Sequence, residues 1–289
     1  LRLGAGGKAQ VLDGLLLAGG AHRALVADRI DAGALLALAP LAPGIGAGLA
    51  DWLAGARSGA VLHEVEVAGD AGGALRANAR VEGLGFDIRG QAPGLSGLSG
   101  RLQGDAAGLV FTPDPEAVVS VDWPMGFGPP AHAVRLRGEI VAWRDGAAWH
   151  ASTPALRVDG EGYGADLRGG MVFQGDGTRP AIDLVAELDE ARAPVAKRFW
   201  IRHLMPDAAV EWLDAAIVDG RVLEGRAVVS GDLDDWPFEP EGERAGAGLF
   251  HASARLEDAV LRFDPGWPAA EALAGRVDFI ANGFSFVGS

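Results

Sequence analysis

The chain has 289 residues, of which 49% are hydrophobic but only 7% aromatic, and its formal net charge is −14 with a pI near 4.8. This acidity argues against nucleic-acid binding, which needs a basic surface, and against adhesion to an anionic membrane surface. The 44 glycines disfavour long helices, because each interior glycine costs a helix about 1 kcal/mol relative to alanine. Without cysteine there is no disulfide framework and no thiol chemistry.

The first notable segment is an uncharged stretch at 32–50. Its apolar content is largely alanine and it contains two prolines and four glycines, so we do not expect it to span a membrane. A short helix is predicted around Ile45, Leu49 and Leu53, which recur at a spacing of four, and it should end near Gly59.

Strand-like alternation follows this helix and returns late in the chain. Ala77, Ala79 and Val81 alternate with polar residues, and so do Ala254 and Leu256. A period of two places one set of side chains on an apolar face and the other on a polar face, which is typical of antiparallel sheets. Further strands are predicted at 131–143, 147–158, 163–174 and 181–188.

Two helices are predicted between the strand-rich regions. The first lies around 194–203. The second lies at 206–219, where Val210 and Ile217 belong to an apolar stripe of helical spacing and Gly220 is a suitable residue to end the helix.

A long internal repeat is visible in the sequence. Residues 79–111 match 254–286 without a gap at an offset of 175, and Trp52 matches Trp212 at an offset of 160, both on predicted helices where we expect packing anchors. We therefore predict a repeat of about 160 residues and expect the parent protein to extend in both directions. The predicted divisions are the tail of a preceding repeat at 1–29, a first complete repeat at 30–190 and a truncated second repeat at 191–289.

No catalytic motif is present. The sequence has no Gly-x-Ser-x-Gly elbow, and its six histidines are scattered without metal-ligand spacing. His63 and Glu64 are interpreted as a solvated strand pair, 160–164 as a strand with glycine bulges, and Asp234 with Asp235 as a solvated turn. We predict no enzymatic activity, no metal and no cofactor.

The apolar face of the predicted strands must be covered, because a sheet has to bury that face against another layer. About four short helices cannot cover roughly a dozen strands. The sheet must close on itself as a sandwich or barrel, or curl into a trough whose apolar side holds another molecule.

A series of motifs in fixed order resembles the YhdP family of AsmA-like proteins of Gram-negative envelopes. The resemblance is strongest over 188–289 and extends, through the repeat, to 30–111. The motifs are Phe199-Trp200-Ile201, the helix end at 211–220, the strand end at 229–233, Trp236-Pro237-Phe238, Gly248-Leu249-Phe250, Trp267-Pro268 and Leu273-Ala274-Gly275.

This resemblance implies a mostly β fold: an elongated, twisted antiparallel β-sheet groove of the repeating, taco-like type, with a few short helices. It also implies a periplasmic location, in a parent protein anchored in the inner membrane and reaching toward the outer membrane. The implied activity is conduction of phospholipid between the two membranes. Membrane contact would belong to parts of the parent outside this segment, and the family offers no catalytic residues or cofactor.

The apolar face then becomes the candidate site for phospholipid acyl chains. Small residues, among them Gly100 and Gly275, would leave room for the chains, and larger ones would form apolar walls. The candidate residues are Ala77, Ala79, Val81, Phe86, Ile88, Leu98, Leu102, Phe111, Ala252, Ala254, Leu256, Phe263, Leu273, Val277, Phe279, Phe284 and Phe286. Two alternatives remain: a structural or adhesive β-repeat protein with a filled sandwich core, and an enzyme acting on envelope polysaccharide through a carboxylate pair.

Overall fold

The structure, a computed structural model, is mostly β, and all strand pairs for which a register is resolved are antiparallel, so the predicted fold class is confirmed. It describes residues 2–3, 10–33, 51, 55–90, 92–105, 107–174, 176, 178–202, 205–239, 246–281 and 283–289. Internal contacts divide the chain into a first unit (1–122, 132–152 and 174–177) and a second unit (123–131, 153–173 and 178–289). The repeat boundaries drawn from the sequence remain a prediction.

The first unit is built from strands that mostly pair with their neighbours in sequence. They are β1 (Arg2–Leu3), β2 (Gln10–Asp13), β3 (Leu16–Ala18), β4 (His22–Asp31), β5 (Gly59–Asp70), β6 (Leu75–Phe86), β7 (Gly94–Asp105), β8 (Gly108–Pro113), β9 (Val119–Asp122), β10 (His132–Gly138), β11 (Ile140–Asp145) and the first part of β12 (Ala148–Gly160). The hydrogen-bonded order is β3–β4–β5–β6–β7–β8–β11–β12, and β9 joins β7 to β10.

The second unit contains the rest of β12 and seven further strands. They are β13 (Tyr163–Phe173), β14 (Ala181–Leu188), β15 (Ala191–Arg192), β16 (Ile217–Asp232), β17 (Gly248–Leu261), β18 (Ala270–Ile280) and β19 (Gly283–Gly288). The order is β13–β14–β16–β17–β18–β19, and β15 pairs with the start of β16. A tight turn at Glu161 and Gly162 separates β12 from β13, so the segment 160–164 is not the continuous strand with glycine bulges that the sequence predicted.

In the described part of the second unit, the helical segments with defined bounds are α1 (Asp207–Ala216) and the 3-10 helices Ala193–Phe199 and Leu233–Asp235. The helix predicted at 206–219 is therefore too long. Ile217 does not extend the apolar stripe but opens β16, and Gly220 is not a helix-ending residue but a strand residue at φ +121°. At Gly220 the backbone of Ala259 lies only 2.6 Å from where a Cβ would stand, so only glycine fits.

Two other predicted elements are corrected. The strand predicted at 131–143 is split, because Gly138, the last residue of β10, adopts φ +133° and Glu139 lies between β10 and β11. The interruption lets the chain change partner: β10 pairs with β9, and β11 pairs with β8. The helix predicted at 194–203 is a 3-10 helix that ends at Phe199. The predicted helix bearing Trp52 and most of the stretch 32–50 lie outside the described residues.

The repeated segments share one strand register. Strand β8 (108–113) corresponds to β19 (283–288) at the offset of 175, and all five residue pairs between β7 and β8 recur between β18 and β19. The register shifts between β6 and β7 also recur at the same offset between β17 and β18. Leu98, opposite Leu84, thus corresponds to Leu273, opposite Ala259.

β-Bulges occupy matching positions as well. Glu64 on β5 and Glu224 on β16 both adopt φ +52°, at an offset of 160, and each lies inside a register shift. A bulge inserts one extra residue into a strand. Beyond the bulge, odd-numbered and even-numbered residues therefore exchange the faces to which they point. This is why Leu62 and Val67 both lie on the apolar face although they are an odd number of residues apart.

Candidate functional site

In the first unit, one row of directly paired residues crosses seven strands and is apolar throughout. From β4 to β12 its members are Leu25, Val67, Ala77, Gly104, Leu109, Ala142 and Ala151. Directly opposite residues in a ladder share a face, so these side chains lie on one side of the sheet. We call this side the apolar face; it contains Ala77 of the predicted site.

Two more rows of the same face contain most of the other predicted residues of the first unit. Ala79, Leu102, Phe111 and Ile140 form one row, and Ile30, Leu62, Val81 and Gly100 form the other. Val81 and Phe111 pack with Ala32 and Ala60 in a buried cluster, against which Leu98 and Leu102 are half-buried. The structure thus brings together Ala77, Ala79, Val81, Leu98, Leu102 and Phe111.

The second unit carries the equivalent apolar row across six strands. Its members are Leu167, Ala186, Ala227, Ala252, Phe279 and Phe284. The adjacent rows hold Ala254 with Val277 and Phe286, and Leu256 with Gly275. All seven of these predicted residues therefore face the same side of their sheet.

In both units a phenylalanine lies diagonally across from a glycine on the neighbouring strand. A Cβ placed on Gly100 would lie 2.8 Å from Cζ of Phe111, and one placed on Gly275 would lie 2.9 Å from Cζ of Phe286. The ring therefore covers backbone that glycine leaves open, an arrangement known to offset the weakness of strand glycines. Glycine leaves room here for the phenyl ring rather than for a ligand.

Four predicted residues stand apart from these rows. Ile88 and Phe263 follow the ends of β6 and β17 and are exposed, at 37% and 49%. Phe86 is opposite Leu95, and Leu273 is opposite Ala259, both in the irregular ends of their ladders. Backbone register does not join these four to the continuous apolar rows.

Sequence reasoning missed several members of the long rows, namely Leu25, Val67, Leu109, Ala142, Ala151, Leu167, Ala186 and Ala227. The signal was present in β5, where apolar residues recur, but the bulge at Glu64 breaks the period of two. In β4 the run Ala24 to Ala27 is apolar at every position, so alternation could not assign a face.

The polar face of the second unit is crossed by ion pairs. Arg226 Nη2 lies 3.2 Å from Glu187 Oε1, and Arg221 bridges Glu190 Oε1, at 2.7 Å, and Glu257. The charge of Glu257, followed by that of Glu190, raises the pKa of Arg221 further above its usual range. Exposed ion pairs contribute little to the free energy of unfolding. These pairs therefore mark the polar face of the sheet without stabilising the fold much.

Asp278 is the most perturbed carboxylate of this face. It accepts hydrogen bonds from Arg276 Nε at 2.8 Å and pairs with His251 Nε2 at 2.8 Å. The hydrogen bond from Arg276, followed by that from His251, lowers the pKa of Asp278 to about 2. In the first unit the equivalent position is Gln103, which carries no charge.

The first unit has a depression of about 930 Å³ on its polar face. Glu66, Asn78 and Gln103 share a ladder row in its wall, and Trp143, stacked on His150 with ring centroids 4.9 Å apart, lines it too. Asn78 Oδ1 is buried and has no hydrogen-bond partner among the described residues. Of the predicted site residues only Ala77 contributes to this depression.

The residues considered above as possible catalytic groups are held by local hydrogen bonds. His63 lies on β5 with Nε2 2.6 Å from Glu82 Oε2, and this hydrogen bond lowers the pKa of Glu82. Asp234 and Asp235 form a 3-10 turn capped by Asp232, which accepts from the Asp234 N–H at 2.9 Å. Among the described residues no group of three potential metal ligands converges. In the same residues, no helix has the length and apolarity needed to cross a bilayer.

Comparison with known proteins gives one result. The model of the YhdP protein family matches residues 8–289. No curated protein and no solved structure gives a significant match. A family match over nearly the whole length establishes that the chain belongs to the YhdP family, which has a role in lipid transport.

Proposed function

We propose that this chain is a periplasmic segment of a bridge-like protein whose apolar face shields and conducts phospholipid acyl chains between the inner and outer membranes. The observation that supports this most is the uninterrupted apolar row across seven strands of the first unit, repeated across six strands of the second. Family membership supports the same role in general terms.

The energetics favour such a face over a specific polar site. Each methylene that leaves water gains about 0.8 kcal/mol, so a chain of about 15 methylenes gains on the order of 10 kcal/mol. A carrier therefore needs a continuous apolar surface rather than directional contacts. Ala77, Leu102 and Leu109 are only half-buried, which leaves apolar surface that an acyl chain would cover.

The test compares two neighbouring residues that point to opposite faces of β7. Leu102→Asp puts a carboxylate on the apolar face, where a buried charge is costly, and Gln103→Asp puts the same charge on the polar face. Native mass spectrometry of protein purified from bacteria should show bound phospholipid in the wild type and in Gln103→Asp, and much less in a folded Leu102→Asp.

A structural or adhesive β-repeat protein makes the opposite prediction. Its apolar face would be filled by its own side chains, so the wild type would carry no phospholipid. Absence of lipid from the wild type, or equal lipid in both variants, would exclude conduction along this face. If Leu102→Asp does not fold, Ala77→Asp, in the neighbouring row and also half-buried, serves the same comparison.

A further inference from the structure

A row of basic side chains crosses the polar face of the first unit. Arg29, His63, Arg80 and Arg101 stand directly opposite one another on β4, β5, β6 and β7. The row continues to Asp13 on β2 and to Thr112 on β8. All three arginines are exposed. In a chain with net charge −14, such a concentration of like charge is unexpected.

Arg80 and Arg101 are adjacent members of this row on neighbouring strands. Like charges directly opposite in a ladder destabilise a sheet. Among the described residues, no carboxylate lies within 4.0 Å of either guanidinium group, and neither group donates a hydrogen bond. The nearby Glu82 is held by His63 at 2.6 Å, although Arg80 and Arg29 also help to lower its pKa.

The second unit shows how the same register is neutralised. Arg255 and Arg276 are directly opposite each other and correspond to Arg80 and Arg101 at the offset of 175. Arg255 Nη2 lies 3.1 Å from Glu224 Oε1, and Arg276 Nε lies 2.8 Å from Asp278 Oδ2.

The first unit lacks both of these ion pairs. Gln103 replaces Asp278, so Arg101 lacks the carboxylate that Arg276 has two residues further along its own strand. Glu64 stands at the position of Glu224 but is not within ion-pair distance of Arg80.

We propose that Arg80 and Arg101 form a binding site for an oxyanion of the phosphate class on the polar face of the first unit. Directly opposite residues have Cβ atoms about 5 Å apart, so their two guanidinium forks can reach one tetrahedral anion, which arginine binds in bidentate fashion. The anion takes the place that the carboxylates of Glu224 and Asp278 occupy in the second unit, and the amide of Gln103 supplies a further donor beside it.

This site goes beyond the proposed conduction of acyl chains. The site lies on the opposite face of the sheet from the apolar rows, so its anion does not belong to a lipid whose chains rest on those rows. Two sources share the required chemistry: a free phosphate compound, and the phosphate headgroups of a bilayer surface.

In the primary experiment the wild-type chain is titrated with inorganic pyrophosphate at low salt. Binding is measured by calorimetry and by changes in the NMR signals of the arginine Nε–H groups. We expect Arg80→Gln with Arg101→Gln to weaken binding at least tenfold. The matched control is Arg255→Gln with Arg276→Gln, which removes the same charge at the equivalent register of the second unit and should leave the affinity unchanged. Loss of affinity to the same extent in both double variants would show only a general charge effect and overturn the proposal.

A second variant removes no arginine. Gln103→Asp supplies the carboxylate that the second unit has at this position, and it should pair with Arg101 and weaken pyrophosphate binding at least tenfold. Because Gln103→Asp should keep its co-purifying phospholipid, the anion site and the acyl-chain face are tested separately. Unchanged pyrophosphate affinity in Gln103→Asp would contradict the site.

Co-sedimentation with vesicles distinguishes the two sources. Binding to phosphatidylglycerol vesicles but not to phosphatidylcholine vesicles, lost in the Arg80 and Arg101 double variant, identifies anionic headgroups at a bilayer surface. Pyrophosphate binding without vesicle binding identifies a free phosphate compound. Failure of the wild type to bind either probe overturns the proposal.

Discussion

Val81 in the first unit and Leu256 in the second occupy the same place in their ladders, opposite Gly100 and Gly275. Val81 is only 5% exposed and packs with Ala32, Ala60 and Phe111, whereas Leu256 is half-buried. Identical backbone register therefore does not dictate equal protection of the apolar face. Both units have the apolar face, but at this position it is buried in the first unit and only half-buried in the second.

The polar faces of the two units differ in charge pairing, and here the second unit is the one whose arginines are paired. In the second unit Arg255 and Arg276 are paired with carboxylates, while the equivalent Arg80 and Arg101 have no such pair among the residues that the structure describes. Register and bulges are backbone properties and are shared, whereas charge pairing depends on single side chains such as Asp278 or Gln103. The two units can thus share one strand register and one set of bulges while their polar faces carry differently paired charges.

The largest expected effect comes from a charge at the matched apolar position. Val81→Asp should reduce the free energy of unfolding by about 3–5 kcal/mol, because an unpaired carboxylate would be buried in a packed cluster. Leu256→Asp should cost less than half of that, since Leu256 is only half-buried and water can reach the new carboxylate. Denaturant unfolding of both variants measures the difference. Equal losses would mean that the two apolar faces are equally closed.

An added methyl group tests the shared glycine–phenylalanine contact. Gly100→Ala and Gly275→Ala should each destabilise by about 1–3 kcal/mol, because the new Cβ meets the phenyl ring and the backbone of the next strand. Gly59→Ala, which meets no atom within 4 Å, is the control and should change stability little. A large loss at only one of the two glycines would break the equivalence of the units.

The bulges offer a stabilising test. Glu64→Gly should raise the free energy of unfolding by about 0.5–1 kcal/mol, because glycine adopts φ +52° without a Cβ penalty. Glu224→Gly should gain less, since it also loses the contact with Arg255. Glu66→Gly, in regular strand, should be destabilising. Destabilisation by Glu64→Gly would show that the bulge is not placed at that residue.

The smallest effect is the pH dependence that Asp278 gives to the second unit. Because the pKa of Asp278 is lowered to about 2, its contribution to stability is complete above the unfolded value of about 3.9 and is lost as the pH falls toward 2. NMR titration of the Asp278 carboxyl should show the low midpoint, and Arg276→Gln should raise it. A midpoint near 3.9 in the wild type would mean that the pair with Arg276 is not formed in solution.

Much of the strand pattern was predictable from local sequence. Residues 181–188 form β14 as predicted, and the gapless match of 79–111 with 254–286 anticipated a common register. The end of α1 was not predictable from spacing, because Ile217 continues a helical stripe as well as it opens a strand. Its pairing with Leu261 on β17, a contact distant in sequence, decides for the strand.

The candidate site was predictable only in part. Alternation identified Ala77, Ala79 and Val81, but it could not follow the apolar face through the bulge at Glu64 or into the wholly apolar run of β4. The basic row escaped notice because Arg29, Arg80 and Arg101 are far apart in sequence and meet only through strand pairing.

The sequence by itself determined the fold class and the family and predicted the internal repeat, since composition, a period of two and the order of motifs are properties of the chain alone. Tertiary structure decided which residues share a face, how deeply each is buried and which charges find partners. The physical reason is that ladders also join residues distant in sequence, such as Leu25 and Val67, and a single bulge reverses the side to which every following residue points.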